Sequence, residues 1–397
     1  MDAFLYHVIQ DYNRMRKFTF CLFSFFLLAC QDKGSNNTLQ GITFDQLEIP
    51  LLLDFNPDRV RSQYYESDSG EFLVVLNKTR FSLGFFSIEE RRLVKSIPLT
   101  KEGPNGIGLD NGFLIISEDS ILVATIPPKI RLLNSEGKLL RSYPVENKSN
   151  DVNYISSTNE VPFLYSDKTF FGIQPFIDNF FEITEKEATS IDMIFSVDFS
   201  KADPKADWLP IKRPSGFWDE GKKDENLSWT ERGDSIIIAP YTDHGIWIIS
   251  KKQKKLLQVI ECKSSFINEF HLLDKNELGG DKGIIQSLER DRYEIIMYDK
   301  YRDVFYRMFF PRVEIEKFDF TARQLFANRP LVGVMVMDKE FNLIGEHLFQ
   351  PHYVQPWNYF VGKKGLYVST NNPNRDDFDE NFLRYDIIRF EGLKYED

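Results

Sequence analysis

The chain has 397 residues, room for one large or two ordinary domains, and 42% of them are apolar, enough for a substantial core. Its net charge of −11 repels phosphate backbones and sets nucleic acid aside as a partner. Three cysteines are too few for a disulfide scaffold and belong to no Cys/His cluster of zinc-ligand spacing, so neither a metal nor a cofactor is expected.

The chain opens on an export pattern. Met15-Arg16-Lys17 is a positive n-region, and the uncharged, Phe- and Leu-rich run Phe18 to Ala29 suits a signal h-region. That run is too short for a spanning helix, which needs about 20 apolar residues. Leu27-Leu28-Ala29-Cys30 has the form of a lipobox, a small residue before a cysteine whose thiol is linked to diacylglycerol. Residues 1–30 are therefore expected to be a signal peptide, with Cys30 lipidated. Translation is expected to start at Met15, because the acidic Asp2 and Asp11 fit no signal. The polar stretch after Cys30 predicts a flexible tether over 31–44 and a folded domain over 45–397. The expected address is the bacterial cell envelope, and the expected membrane contact is the lipid.

Beyond the tether the sequence repeats. Leu47 to Leu51 is an isolated short strand. Five segments each carry a β-prone run, a charged turn and a second β-prone run: 81–99, 129–145, 245–260, 293–310 and 331–349. A sixth, more irregular unit lies at 169–199, and a last one at 359–390. Glu71–Leu76, Gly112–Ile116, Ser235–Ala239 and Gly365–Ser369 read as inner strands covered on both faces, because they are almost continuously apolar. An irregular insertion is expected around 200–230. Sustained helical periodicity is missing, whereas 36 Phe and 17 Tyr suit pleated surfaces. The fold class expected is all-β, a single β-propeller. Seven blades follow from the units, or six if the irregular region is an insertion, with the N-terminal strand closing the last blade. A pair of β-sandwiches is the rival architecture.

The lipobox signal, Gly103-Pro104-Asn105-Gly106-Ile107-Gly108 and the run Tyr298 to Arg307 together resemble the propeller-type lipoproteins of unknown function found in Bacteroidota. In outline the chain is also similar to TolB-like propellers. The resemblance implies a fold and a location, and brings no catalytic residues with it.

No local catalytic motif stands out. Cys262 ends a strand and reads as a buried, inert thiol. The stretch Asn371 to Asn381 is dense in oxygen ligands but lacks the spacing of a calcium loop. Tyr241-Thr242-Asp243-His244 is a turn with proton-transfer groups. The ligand face is expected to draw on Trp218, Trp229, Tyr241, Arg307 and Trp357, whose flat or forked side chains suit glycans and peptides. The function expected is a non-catalytic ligand- or protein-binding propeller at the envelope. The alternatives are a glycan or peptide hydrolase or lyase with acids from several blades, and a scaffold of an envelope complex. A hydrolase would place two carboxylates about 5–10 Å apart in a channel-facing cleft.

Overall fold

The computed structural model describes residues 41–395, apart from 148–151, 153, 175, 178–179 and 274–278. The segment expected to be a signal peptide, with Met15 and Cys30, and the expected tether up to residue 40 lie outside the described residues. Among the described residues twenty-four strands form six four-stranded antiparallel sheets.

Strand β1 (Gly41–Pro50) belongs to the last sheet. Blade 1 is β2 (Pro57–Ser67), β3 (Gly70–Asn77), β4 (Ser82–Ser87) and β5 (Arg92–Pro98). Blade 2 is β6 (Leu109–Ser117), β7 (Ser120–Ile126), β8 (Lys129–Leu133) and β9 (Leu139–Pro144). Blade 3 is β10 (Leu164–Ser166), β11 (Thr169–Ile173), β12 (Ile194–Asp198) and β13 (Ala206–Trp208). Blade 4 is β14 (Leu227–Arg232), β15 (Ser235–Pro240), β16 (Gly245–Ser250) and β17 (Lys255–Glu261). Blade 5 is β18 (Arg292–Asp299), β19 (Val304–Phe310), β20 (Gly333–Met337) and β21 (Leu343–Leu348). Blade 6 is β22 (Tyr359–Gly362), β23 (Gly365–Ser369) and β24 (Phe382–Phe390), completed by β1.

The propeller therefore has six blades, and the expectation of seven is corrected. Segments 293–310 and 331–349 are the two halves of one blade, β18–β19 and β20–β21, parted by the long loop 311–332. Closure by the N-terminal strand is present: β1 pairs antiparallel with β24, Gly41 opposite Phe390 and Pro50 opposite Phe382. The strand starts four residues before the tether boundary read from the sequence.

Six core clusters fill the six blade interfaces, and strand alternation explains them. In β3, Leu73 and Val75 pack toward blade 6 while Val74 and Leu76 pack toward blade 2. In β15, Ile236 and Ile238 face blade 3, and Ile237 and Ala239 face blade 5. A strand with a period of two and both faces buried reads as an unbroken apolar run. These runs are the second strands of their blades except for Gly112–Ile116, which lies in β6. The inner strands β2 and β18 are more polar, because one of their edges meets the central channel. Phenylalanines also press on glycines across the ladder: a Cβ on Gly172 would lie 2.3 Å from the Phe195 ring, and one on Gly333 would lie 2.2 Å from the Phe309 ring.

The two faces differ. First and second strands are joined on one face by short turns, such as Asp167-Lys168, both with positive φ, and Gly233-Asp234. β1 enters the propeller from this hairpin-turn face. The opposite, long-loop face carries connections 174–193, 209–226, 262–291, 311–332 and 370–381. Among the described residues three short α-helices decorate it: α1 (Glu185–Ala188), α2 (Gly280–Leu288) and α3 (Ala322–Ala327). The expected insertion at 200–230 resolves into β13, one of these connections and the start of β14. Among the described residues no helix is long and apolar enough to cross a membrane.

Candidate functional site at the channel mouth

On the long-loop face the connection Ser156–Val161 runs across the channel mouth. Ser157 N donates to Asn111 O in blade 2 (2.9 Å), and Asn159 N donates to Val60 O in blade 1 (3.0 Å). Asn159 Nδ2 donates to Arg59 O (3.2 Å) and to Trp357 O before blade 6 (3.0 Å), while its Oδ1 accepts from Ser62 N (3.0 Å). Glu160 O accepts from Trp229 N (3.2 Å) and Ser228 Oγ (2.6 Å) in blade 4. One short segment thus ties four blades together.

Beneath it sits a charged cluster. Glu294, at the start of the inner strand β18, is 0% exposed, forms an ion pair with Arg292 and accepts from Trp357 Nε1 (3.1 Å). The Arg292 guanidinium lies 5.6 Å from the Tyr241 ring centre and 5.4 Å from that of Phe310. Burial, and then the Glu294 charge, push the Glu160 carboxyl up to about 7 against the opposing pull of Arg292. Burial raises Glu294 as well, again opposed by Arg292. Arg329, fully buried nearby, is pushed down to about 9 by burial and by the Arg292 charge. A carboxyl poised near neutrality is what acid–base chemistry uses. A buried ionic network that clamps a channel shifts its members equally well.

A cavity of about 440 Å³, within the usual range for a small ligand, opens on the same face between blades 6 and 1. Its lining includes Leu51, Leu52 and Leu53 from the loop after β1, Arg59 and Ser62 of β2, Gln355 and Asn358 before β22, and Asn371, Phe378 and Asn381 after β23. Neither Glu160 nor Glu294 lines it.

The sequence-predicted residues scatter over this geometry. Trp229 is 0% exposed in β14, its Nε1 bound to Pro162 O (2.6 Å), so it packs the core between blades 3 and 4 and offers no surface to a ligand. Arg307 is also 0% exposed, lying 3.6 Å from the Tyr293 ring centre and donating to Pro240 O and Asp243 O. Trp218, half-buried, stands edge-on to Phe180 (5.6 Å) with the Lys222 ammonium 4.9 Å away. Tyr241 and Trp357 do join the charged cluster. His244 donates to or accepts from Tyr293 OH (2.8 Å), and burial lowers it to about 4, so it is neutral at neutral pH. Asp377 of the oxygen-rich loop is paired with Arg375 and Arg384. Cys262 is buried, and burial pushes its thiol up to about 11.

Residues 44–348 match the profile of a domain of unknown function, DUF4221. The chain belongs to the DUF4221 family. The crystal structure of a DUF4221 member from Bacteroides vulgatus superposes with a TM-score of 0.78 at 23% identity, covering 90% of this chain and 99% of that one. A Bacteroides fragilis chain described as an exported protein gives a TM-score of 0.50 at 11% identity, covering 91% and 98%. At these identities the likeness is one of fold. No curated protein matches in sequence. In this DUF4221 propeller, reasoning from sequence missed Glu160, Glu294, Arg292 and Asn159. The available signal was Arg292 and Glu294, two opposite charges at the start of a β-prone run.

Proposed function

We propose that this DUF4221 chain is an exported, lipid-anchored binding propeller, non-catalytic, with its ligand site on the long-loop face. The observation that carries the reading is the cavity of about 440 Å³ between the last and first blades, which opens on the long-loop face and is lined by neither Glu160 nor Glu294. Exposed apolar side chains support it: Leu52, Leu53, Phe181, Phe266, Leu272, Ile285, Phe326 and Phe378 all sit on that face. Scattered exposed apolar residues are ordinary, but three of these, Leu52, Leu53 and Phe378, line this cavity, as an interaction surface would. The hydrolase reading loses weight because Glu294 has no exposed surface and is held by Arg292 and Trp357. The face lies opposite the end where β1 enters the fold. Export and lipidation of Cys30 rest on the lipobox pattern and on the exported description of the Bacteroides fragilis neighbour.

A thermal-shift screen of the full chain against glycans and peptides tests the binding role. A ligand at 100 times its Kd adds about 2.7 kcal/mol, a readable rise in Tm. Silence across both classes would count against it. For the anchor, cells fed a labelled fatty acid should yield labelled protein from the native gene and none from Cys30→Ala.

A further inference from the structure

We infer that the cavity between blades 6 and 1 is a site for a neutral oligosaccharide; this deepens the binding reading above and rests on it. The walls are rich in carboxamides, and several have hydrogen-bonding capacity that the described protein does not use. Asn371 is about nine-tenths buried, and its Nδ2 donates to the carbonyls of Asp379 and Phe382. Those two acceptors fix which way the amide faces, and leave Oδ1 buried with no partner. A buried unpaired acceptor is costly and calls for an explanation. Gln355 takes up Asn358 and Ser369 with its Oε1 and keeps its Nε2 donors. Asn381 donates from Nδ2 to Asp379 and keeps its Oδ1.

This set matches hydroxyls. Each sugar hydroxyl both donates and accepts, and a carboxamide supplies one group of each kind a short distance apart. Phe378, 38% exposed, and Leu53, fully exposed, stand at the rim, where the C–H face of a pyranose has apolar surface to cover. Two of the three charges on the wall are engaged within the protein, and the third, the exposed Glu380 carboxylate, repels anions. Asp58 pairs with Arg61 (2.8 Å) and Lys78 (3.6 Å), and Arg59 donates to Asn328 Oδ1 (2.8 Å). A ligand bearing carboxylates or phosphates would find no free cation among these groups. A peptide adding itself as a strand would need unpaired backbone, yet Leu51 N is bound to Asn381 O (2.7 Å) and Thr370 N to Arg384 O (2.9 Å).

Isothermal titration of the full chain tests this, using cello-, malto-, xylo- and manno-oligosaccharides of two to six units. Galacturonate oligomers and a mixed tripeptide pool form the comparison arms. At least one neutral series should bind, and Asn381→Ala and Phe378→Ala, both at exposed positions, should each weaken it about tenfold with little change in the Tm of the free protein. Asn371→Leu should abolish binding; if that variant fails to fold, the two exposed variants decide. Binding confined to the tripeptides and sensitive to these substitutions would overturn the sugar assignment and leave the binding reading standing. Binding confined to galacturonates would overturn the neutral assignment. Sugar binding indifferent to all three substitutions would overturn the location. Silence from every probe would overturn both readings.

Discussion

Glu160 shows how a propeller channel changes the chemistry of an ordinary side chain. Water is displaced, a second carboxylate sits close by, and Arg292 only partly compensates, so the proton is held more tightly than in the unfolded chain. An unfolded glutamate releases its proton near pH 4.3, so the folded form carries the excess proton between about 4 and 7. Stability should therefore fall as pH rises through that window and level off above it. Glu160→Gln removes the titrating group while keeping the shape. The variant should melt higher than the native protein at pH 8 and about equally at pH 5, as followed by circular dichroism. Equal melting at both pH values would mean that the carboxyl is solvated. Nothing in the local sequence Ser157-Thr158-Asn159-Glu160 announces this role, because its partner Glu294 lies in another blade and is brought near only by ring closure.

Among the elements, one connection and one strand carry more than their length implies. The Ser156–Val161 segment bridges four blades, with Asn159 making several of its cross-channel bonds. Asn159→Ala leaves partners in blades 1 and 6 unsatisfied and should cost about 1–3 kcal/mol in urea unfolding. Strand β1 closes the ring through Leu47 and Ile49, both buried against blades 6 and 1. Ile49→Ala should cost about 2–5 kcal/mol, the usual range for a large-to-small core change. The closing strand was legible in the sequence, because a lone apolar strand followed by a ring of repeats needs an edge to pair with. The blade number was not. The hairpins 293–310 and 331–349 look like two units, since a 22-residue excursion, 311–332, interrupts blade 5 where blades 1, 2 and 4 have short turns, blade 3 the loop 174–193 and blade 6 the shorter loop 370–381. Trp229 was misplaced for a related reason: it starts the inner strand of blade 4 straight after an irregular connection, and its burial depends on the neighbouring blade.

At the scale of the molecule, six interfaces close a ring whose two faces have different tasks. The hairpin-turn face is tied by charge, with Glu66 of blade 1 meeting Lys300 of blade 5 (2.8 Å) and Lys363 of blade 6 (2.9 Å). The long-loop face carries the cavity, the apolar rim and the bridging segment. Fold class and ring closure followed from repetition and strand period, which are local properties. The cavity did not, since its wall is assembled from residues 51–62, 355–358 and 371–385, remote in sequence until β1 and β24 join. Hydrogen exchange of the full chain, with and without the oligosaccharide giving the largest heat of binding, measures this division of labour most directly. Protection should appear in 51–58, 355–358 and 371–382 and leave the hairpin turns unchanged. Protection on the hairpin-turn face, or along the outer strands alone, would contradict a ligand site at the closing blade.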